Sequence, residues 1–211
     1  FAYDLDRPFA PDLNNLKKAG AAKQKLDSCK GDNYDRIILQ DALAVMCVEA
    51  AGIAGIPVQI HVGLIWTANG PTRIPEIKEL IPLFYNFSDT TFVILHGGYP
   101  RTDDLAYIAA TMTNVRAEFN WVPLWVGKDF PGFMSRWIDM IPNDRILYGT
   151  DGSGFMTVVH DMVTREGLAE ALELRINKGY LSEHIALQIA ANILRNNAID
   201  TYKLDLPKFF V

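Results

Sequence analysis

The chain has 211 residues, 49% hydrophobic and 21% charged, a balance that excludes a disordered chain and leaves room for a sizeable core. Twenty Lys+Arg against 25 Asp+Glu give a net charge of −5, which argues against a duplex-binding surface. No apolar run approaches the roughly 18 residues of a membrane span, so no transmembrane helix is expected.

The opening FAYDLDRPFAPDL has no basic stretch followed by an apolar one, so it does not read as a signal peptide. Cys29 and Cys47 fit neither a disulfide framework nor a cysteine zinc site, and they point to a reducing, cytoplasmic setting. From Leu13 to Lys30 the sequence is polar and lysine-rich, which predicts a loop and a short exposed helix. Asp35 to Ala54 has apolar residues at spacings of three and four without proline, a helix with a buried face ending near Gly52 or Gly55. Pro57 stops it, and PVQIHVG follows as a strand of β-branched residues closed by Gly63.

The pattern then repeats. Glu76 to Phe87 reads as a helix, and TFVILH (Thr91–His96) as an apolar strand ending at Gly97-Gly98. Thr102 to Met112 is a predicted helix with Asp103 and Asp104 in its first turn, where carboxylates favour the helix dipole. VRAEFN (Val115–Asn120) is a strand, Pro131 to Met140 a helix, and RILYG (Arg145–Gly149) a strand. Helices over Asp161–Lys178 and Ser182–Tyr202 close the chain, with Ser182 placed to cap the second. The whole reads as a single domain: loop and short helix over 1–34, βα units over 35–204, and a tail over 205–211.

Apolar strands alternating with helices predict a parallel sheet, as in a (β/α) barrel or a doubly wound fold. No glycine-rich phosphate turn follows any strand, and TDGSG lacks a third glycine, so a dinucleotide site is disfavoured. Each strand instead ends in a polar group: His61, then His96, then Glu118 with Asn120, then Asp151. The carboxyl ends of parallel strands form the active face of such folds. Two imidazoles and a carboxylate suit zinc or a similar divalent ion, and the competing reading makes each a hydrogen-bonded structural group. Trp66, Tyr99 and Arg101 follow strand ends and can line a pocket, with Arg101 able to clamp a substrate carboxylate. Trp121 and Trp125 read as rim packing in preference to pocket walls, His160 as a helix cap in preference to a group reaching the same face, and His184 as a surface residue.

IHVG, LHGGYP and LYGTDGSG, with the closing ANILRNNAIDTYKL, resemble the second half of a metal-dependent hydrolase of the amidohydrolase superfamily, over about Ile53 to Leu204. The resemblance is to the amidohydrolase-related branch that also contains nonoxidative decarboxylases, with uronate isomerases further off. It implies a (β/α)8 TIM barrel with histidines ending strands five and six and an aspartate ending strand eight, positions matched by His61, His96 and Asp151. The family's strand-one His-x-His pair is absent from this sequence. FAYDLDRP resembles the segment after the family's fourth strand, so the implied fold is the C-terminal half, strands five to eight, of the barrel. By resemblance, the metal ligands are His61, His96 and Asp151, and Asp151 and His96 are also the catalytic groups. Tyr99, Arg101, Asn120 and Trp66 would bind substrate. The cofactor is a divalent ion, zinc first and manganese second. The implied reaction is hydrolysis of a C–N or C–O bond in a small molecule, with decarboxylation of an unsaturated or aromatic acid as the alternative, or no catalysis at all in a self-associating half barrel. The expected partners are the small-molecule substrate and either a second copy or the missing N-terminal half. Neither nucleic acid nor a membrane is expected, and metal binding and hydrolysis by this chain alone are expected to be weak or absent.

Overall fold

The computed structural model describes residues 15–63 and 76–210. FAYDLDRP and Trp66 lie outside the described residues. Two helices come first, α1 (Asn15–Asp27) and α2 (Asn33–Ala54). Asp32 caps α2 through the Asp35 N–H, while the Asp35 carboxylate returns to the Asp32 N–H, so two orphan donors are satisfied reciprocally. Lys25 of α1 then bridges to the buried Asp35 at 2.9 Å. The first region thus holds a full 13-residue helix rather than a short one within a loop.

Four strands follow: β1 (Val58–Ile60), β2 (Phe92–Ile94), β3 (Val115–Glu118) and β4 (Ile146–Leu147). They form one parallel sheet in the order β1-β2-β3-β4, with Ile60 opposite Ile94, Ile94 opposite Ala117 and Ala117 opposite Ile146. Parallel strands in chain order need a crossover between each pair. These are a 3-10 turn (Ile77–Leu80) leading into α3 (Ile81–Asn86), then α4 (Thr102–Thr111), then α5 (Val122–Val126) with α6 (Phe130–Met140). After β4 come α7 (Phe155–Asn177), α8 (Glu183–Ala191) and α9 (Asn197–Tyr202), the last two joined through a π turn at Asn192–Asn196. The strands are shorter than the sequence runs suggest, because polar residues such as Asn120 fall past the last ladder bond and turn into the loops.

Phe92, Val93 and Ile94 are completely buried, as expected for a strand covered on both faces. The core continues through Phe84, Leu105, Phe119, Phe130 and Trp137, all essentially inaccessible to solvent. Polar side chains pin the crossovers. Asn114 donates to the carbonyls of Phe84 and Phe87, and Arg145 caps α4 through the carbonyls of Ala109 and Ala110. Asn197 of the closing helix reaches Ile146 O at 2.8 Å, fastening the chain's end to β4.

Two expectations need correction. By length and composition α2 is apolar enough to cross a membrane, with 22 residues and a mean hydropathy of 1.8 over its best window. It also buries a stripe of Ile38, Ala42, Val45 and Val48 and carries Asp35 and Asp41 on that inner side. The helix predicted from Asp161 instead starts at Phe155, because glycines 152 and 154 end the preceding loop six residues earlier than periodicity suggests.

A histidine pair and a held carboxylate on one face

In a parallel sheet all carboxyl ends lie on one side, so His61, His96, Asn120 and Asp151 share a face, each just beyond its own strand. The turns that follow β2, β3 and β4 have a common feature. His96 (φ 61°), Trp121 (φ 60°) and Asp151 (φ 46°) all adopt left-handed backbone, a conformation that non-glycine residues rarely take. After His96 the chain continues through Gly97 and Gly98 at φ 60° and 63°, where a side chain would add strain at each step. Such strained turns recur at functional sites, where they aim side chains that a regular strand would point elsewhere.

The turns bring two imidazoles together. His96 Nε2 lies 2.9 Å from His61 Nδ1, with ring centroids 4.1 Å apart. One of the two nitrogens carries the shared proton. His96 is buried and His61 half-buried. Burial, reinforced by neighbouring His61, pushes the His96 pKa down to about 4, against the opposing pull of Asp151 and Asn120. The Asn120 Oδ1 and His96 Nδ1 atoms nonetheless lack a well-formed hydrogen bond. His96 is therefore a neutral base at pH 7, the form in which imidazole ligates a metal.

Beside the pair sits Glu118, at the end of β3 and almost inaccessible. Its Oε1 accepts the Asn120 N–H at 3.0 Å, and the His96 N–H favours the same carboxylate. Burial dominates these bonds and pushes its pKa up to about 8, so it holds a proton at neutral pH. A Cβ at Gly149 would stand 2.3 Å from Glu118 Oε1, so the glycine makes room for the acid.

Asp151 is exposed, and Trp121 holds it. The indole Nε1–H reaches Asp151 Oδ2 at 3.1 Å and its carbonyl at 3.2 Å. Trp125, one turn along α5, stacks on Trp121 at 6.4 Å and lies 5.9 Å from the His96 ring and 5.2 Å from Tyr99. An aromatic wall therefore runs from the histidine pair to the aspartate. Trp121 and Trp125 line the face, where sequence reasoning favoured rim packing; the adjacency of Trp121 to Asn120 at a strand end was the available signal. A cleft of about 820 Å³ opens behind this wall, lined by Tyr99, Pro100, Trp125, Lys128 and Arg136, and none of His61, His96, Asn120 or Asp151 lines it.

The remaining predicted residues separate. Arg101 is exposed and pairs with Glu76 at 3.1 Å and Asp104 at 3.9 Å, so its guanidinium faces carboxylates of the protein itself. His160 does not cap a helix: it is completely buried in the second turn of α7, because that helix begins earlier than expected. His184 is exposed.

As a metal site the face fits in donor type but not in number. His61 and His96 converge, while Asp151 stands two intervening strands away from His61 and is turned towards Trp121. Among the described residues, no three His, Cys, Asp or Glu side chains gather closely enough to hold an ion.

A family model described as Amidohydrolase matches residues 31–204. Protein fluG of Emericella nidulans is 28% identical over 156 residues, which are 71% of this chain and 18% of that protein. A crystal structure assigned as a metal-dependent hydrolase from Lactobacillus casei superposes with a TM-score of 0.71 at 15% identity, covering 92% of this chain and 53% of that one. Glucuronate isomerase from Caulobacter crescentus gives a TM-score of 0.71 at 16% identity, covering 90% and 44%. The chain thus spans about half the length of the solved structures it matches, and at these identities the likeness is one of fold. It belongs to the amidohydrolase family.

Proposed function

We propose that this member of the amidohydrolase family supplies one side of a metal-dependent hydrolase centre that cleaves a C–N or C–O bond in a small-molecule substrate. The contact between His61 Nδ1 and His96 Nε2, 2.9 Å apart on adjacent strand ends, carries the reading. Two nitrogens this close can turn their lone pairs to one ion with small ring rotations. Burial keeps His96 neutral and spares the ion competition with a proton. Zinc suits two imidazoles best, with manganese second. A bound divalent ion supplies Lewis-acid polarisation and a lowered pKa for water.

The protein's own groups supply the rest. The Trp121 indole holds Asp151 Oδ2, which fixes the aim of a carboxylate able to accept a proton from water. Tyr99 and Trp125 form an apolar wall for the substrate. A catalytic zinc takes three protein ligands, and the described residues gather two, so further donors come from polypeptide beyond them or from a second copy.

The test is metal loading followed by elemental analysis after dialysis, with amide, lactone and ester substrates, on this chain and on the full product of its gene. The expected result is stoichiometric metal and hydrolysis in the full product, both lost when His61 and His96 are replaced by alanine. A full product that holds no divalent ion after loading would sink the reading.

A further inference from the structure

His160 has no place in the ligand set, yet its environment is unusual. It is completely buried, and neither ring nitrogen has a hydrogen-bond partner among the described residues. An imidazole in that state is less favourable than an apolar side chain of similar size, because both nitrogens lose water without compensation. Its contact is specific. The ring meets Trp121 edge-on, with centroids 4.8 Å apart and planes at 85°. Perpendicular ring pairs at this distance are the favoured aromatic geometry.

Trp121 is itself held against its own preference, a bulky residue at φ 60°. That backbone lays the indole between three groups. His160 packs against it, Trp125 stacks on it at 6.4 Å, and its N–H donates to both the carbonyl and the carboxylate of Asp151. Asp151 is exposed and sits in a loop with left-handed backbone at Asp151 and Gly154, and among the described residues its carboxylate takes its hydrogen bond from the Trp121 indole. His160 lies nine residues further on, in the rigid body of α7. The helix thus reaches back, through one indole, to the residue that precedes it on the loop.

We propose that His160 is a positioning residue, its buried ring bracing Trp121 edge-on so that the indole N–H holds the carboxylate of Asp151. The catalytic meaning of Asp151 rests on the hydrolase reading above, whereas the brace stands on contacts within this chain. A rigid aromatic edge is what the brace requires, so phenylalanine can replace His160 and alanine cannot.

The experiment follows the indole N–H resonances of the 15N-labelled 211-residue chain, with the Trp121 signal assigned by its loss in Trp121→Phe. Asp151→Asn is expected to shift the Trp121 signal upfield, because the indole loses its anionic acceptor. His160→Ala is expected to shift it the same way, and His160→Phe to leave it at the wild-type position. The signal of Trp137, buried in the core, should stay fixed throughout and report an intact fold. In the active protein, His160→Ala should lower kcat with KM unchanged, and His160→Phe should restore it. A Trp121 signal unmoved by Asp151→Asn, or His160→Phe shifting it as far as His160→Ala, overturns the proposal even if His160→Ala itself fails to fold. Resonances that behave as expected in a protein without hydrolytic activity would sink the hydrolase reading and leave the brace standing.

Discussion

The two halves of the strand-end face solve opposite problems. At the ends of β1 and β2, two bases touch each other, and burial keeps His96 unprotonated. At the ends of β3 and β4, two acids stand in opposite surroundings: Glu118 is buried and protonated, Asp151 exposed and held by an indole. One physical cause, loss of water, lowers the histidine and raises the glutamate, since burial penalises the charged form of either. The difference lies in what each half offers: lone pairs ready for an ion on one side, and a carboxylate aimed by its neighbours on the other.

The largest expected effect concerns the histidine side. Replacing either His61 or His96 with alanine should remove stoichiometric zinc binding by the full product of the gene, since the pair is the donor set that the described residues bring together. Calorimetric titration checks it, and retained affinity in both variants would show that the pair is not the donor set.

On the acid side, Gly149→Ala places a methyl group 2.3 Å from Glu118 Oε1. Overpacking of this kind costs about 1–3 kcal/mol. In a Glu118→Ala background the same change should cost only a few tenths of a kcal/mol, because the obstructing carboxyl is gone. Urea unfolding of the four proteins completes the cycle, and equal penalties in both backgrounds would contradict the packing described.

Glu118 also predicts a pH dependence. Its folded pKa of about 8 stands above that of the unfolded chain, so the unfolded state binds fewer protons between the two values. Stability should therefore fall as pH rises, by roughly 1.4 kcal/mol per unit from this one group. His96 acts in the opposite sense at lower pH: with its pKa near 4 when folded, it destabilises the protein as pH drops below its ordinary range. The clear window for Glu118 is thus from about pH 6.5, the ordinary histidine pKa, to 8. Unfolding midpoints of wild type should decline across that window while those of Glu118→Gln stay level; parallel declines would place the proton elsewhere.

The smallest effect belongs to Arg101. Its ion pairs with Glu76 and Asp104 are exposed, and such pairs are worth about 0–1 kcal/mol. Arg101→Ala should barely move the unfolding midpoint. A marked loss of substrate affinity in the active protein without loss of stability would show that the guanidinium leaves Glu76 to take a substrate anion.

Much of this is legible in the sequence. PVQIHVG, TFVILH, VRAEFN and RILYG each contain a strand, because β-branched and aromatic runs bounded by glycine or proline have few other uses. Their separation by helical segments sets a parallel sheet, and a parallel sheet puts His61, His96, Asn120 and Asp151 on one face. Ser182 caps its helix through the Ile185 N–H, as its position implies. The role of Trp121 was not legible, because its left-handed backbone and its bond to Asp151 depend on a residue 30 positions away. The buried place of His160 is hidden from the sequence for a similar reason: a two-glycine loop lets α7 start at Phe155, which turns a capping position into a buried one. Local pattern thus determined which segments pair and which ends carry chemistry, since periodicity and turn residues act over a few positions. Only the tertiary structure decided which of those groups meet, which are dry and which proton each holds, because contact and solvent exclusion depend on segments far apart in the chain.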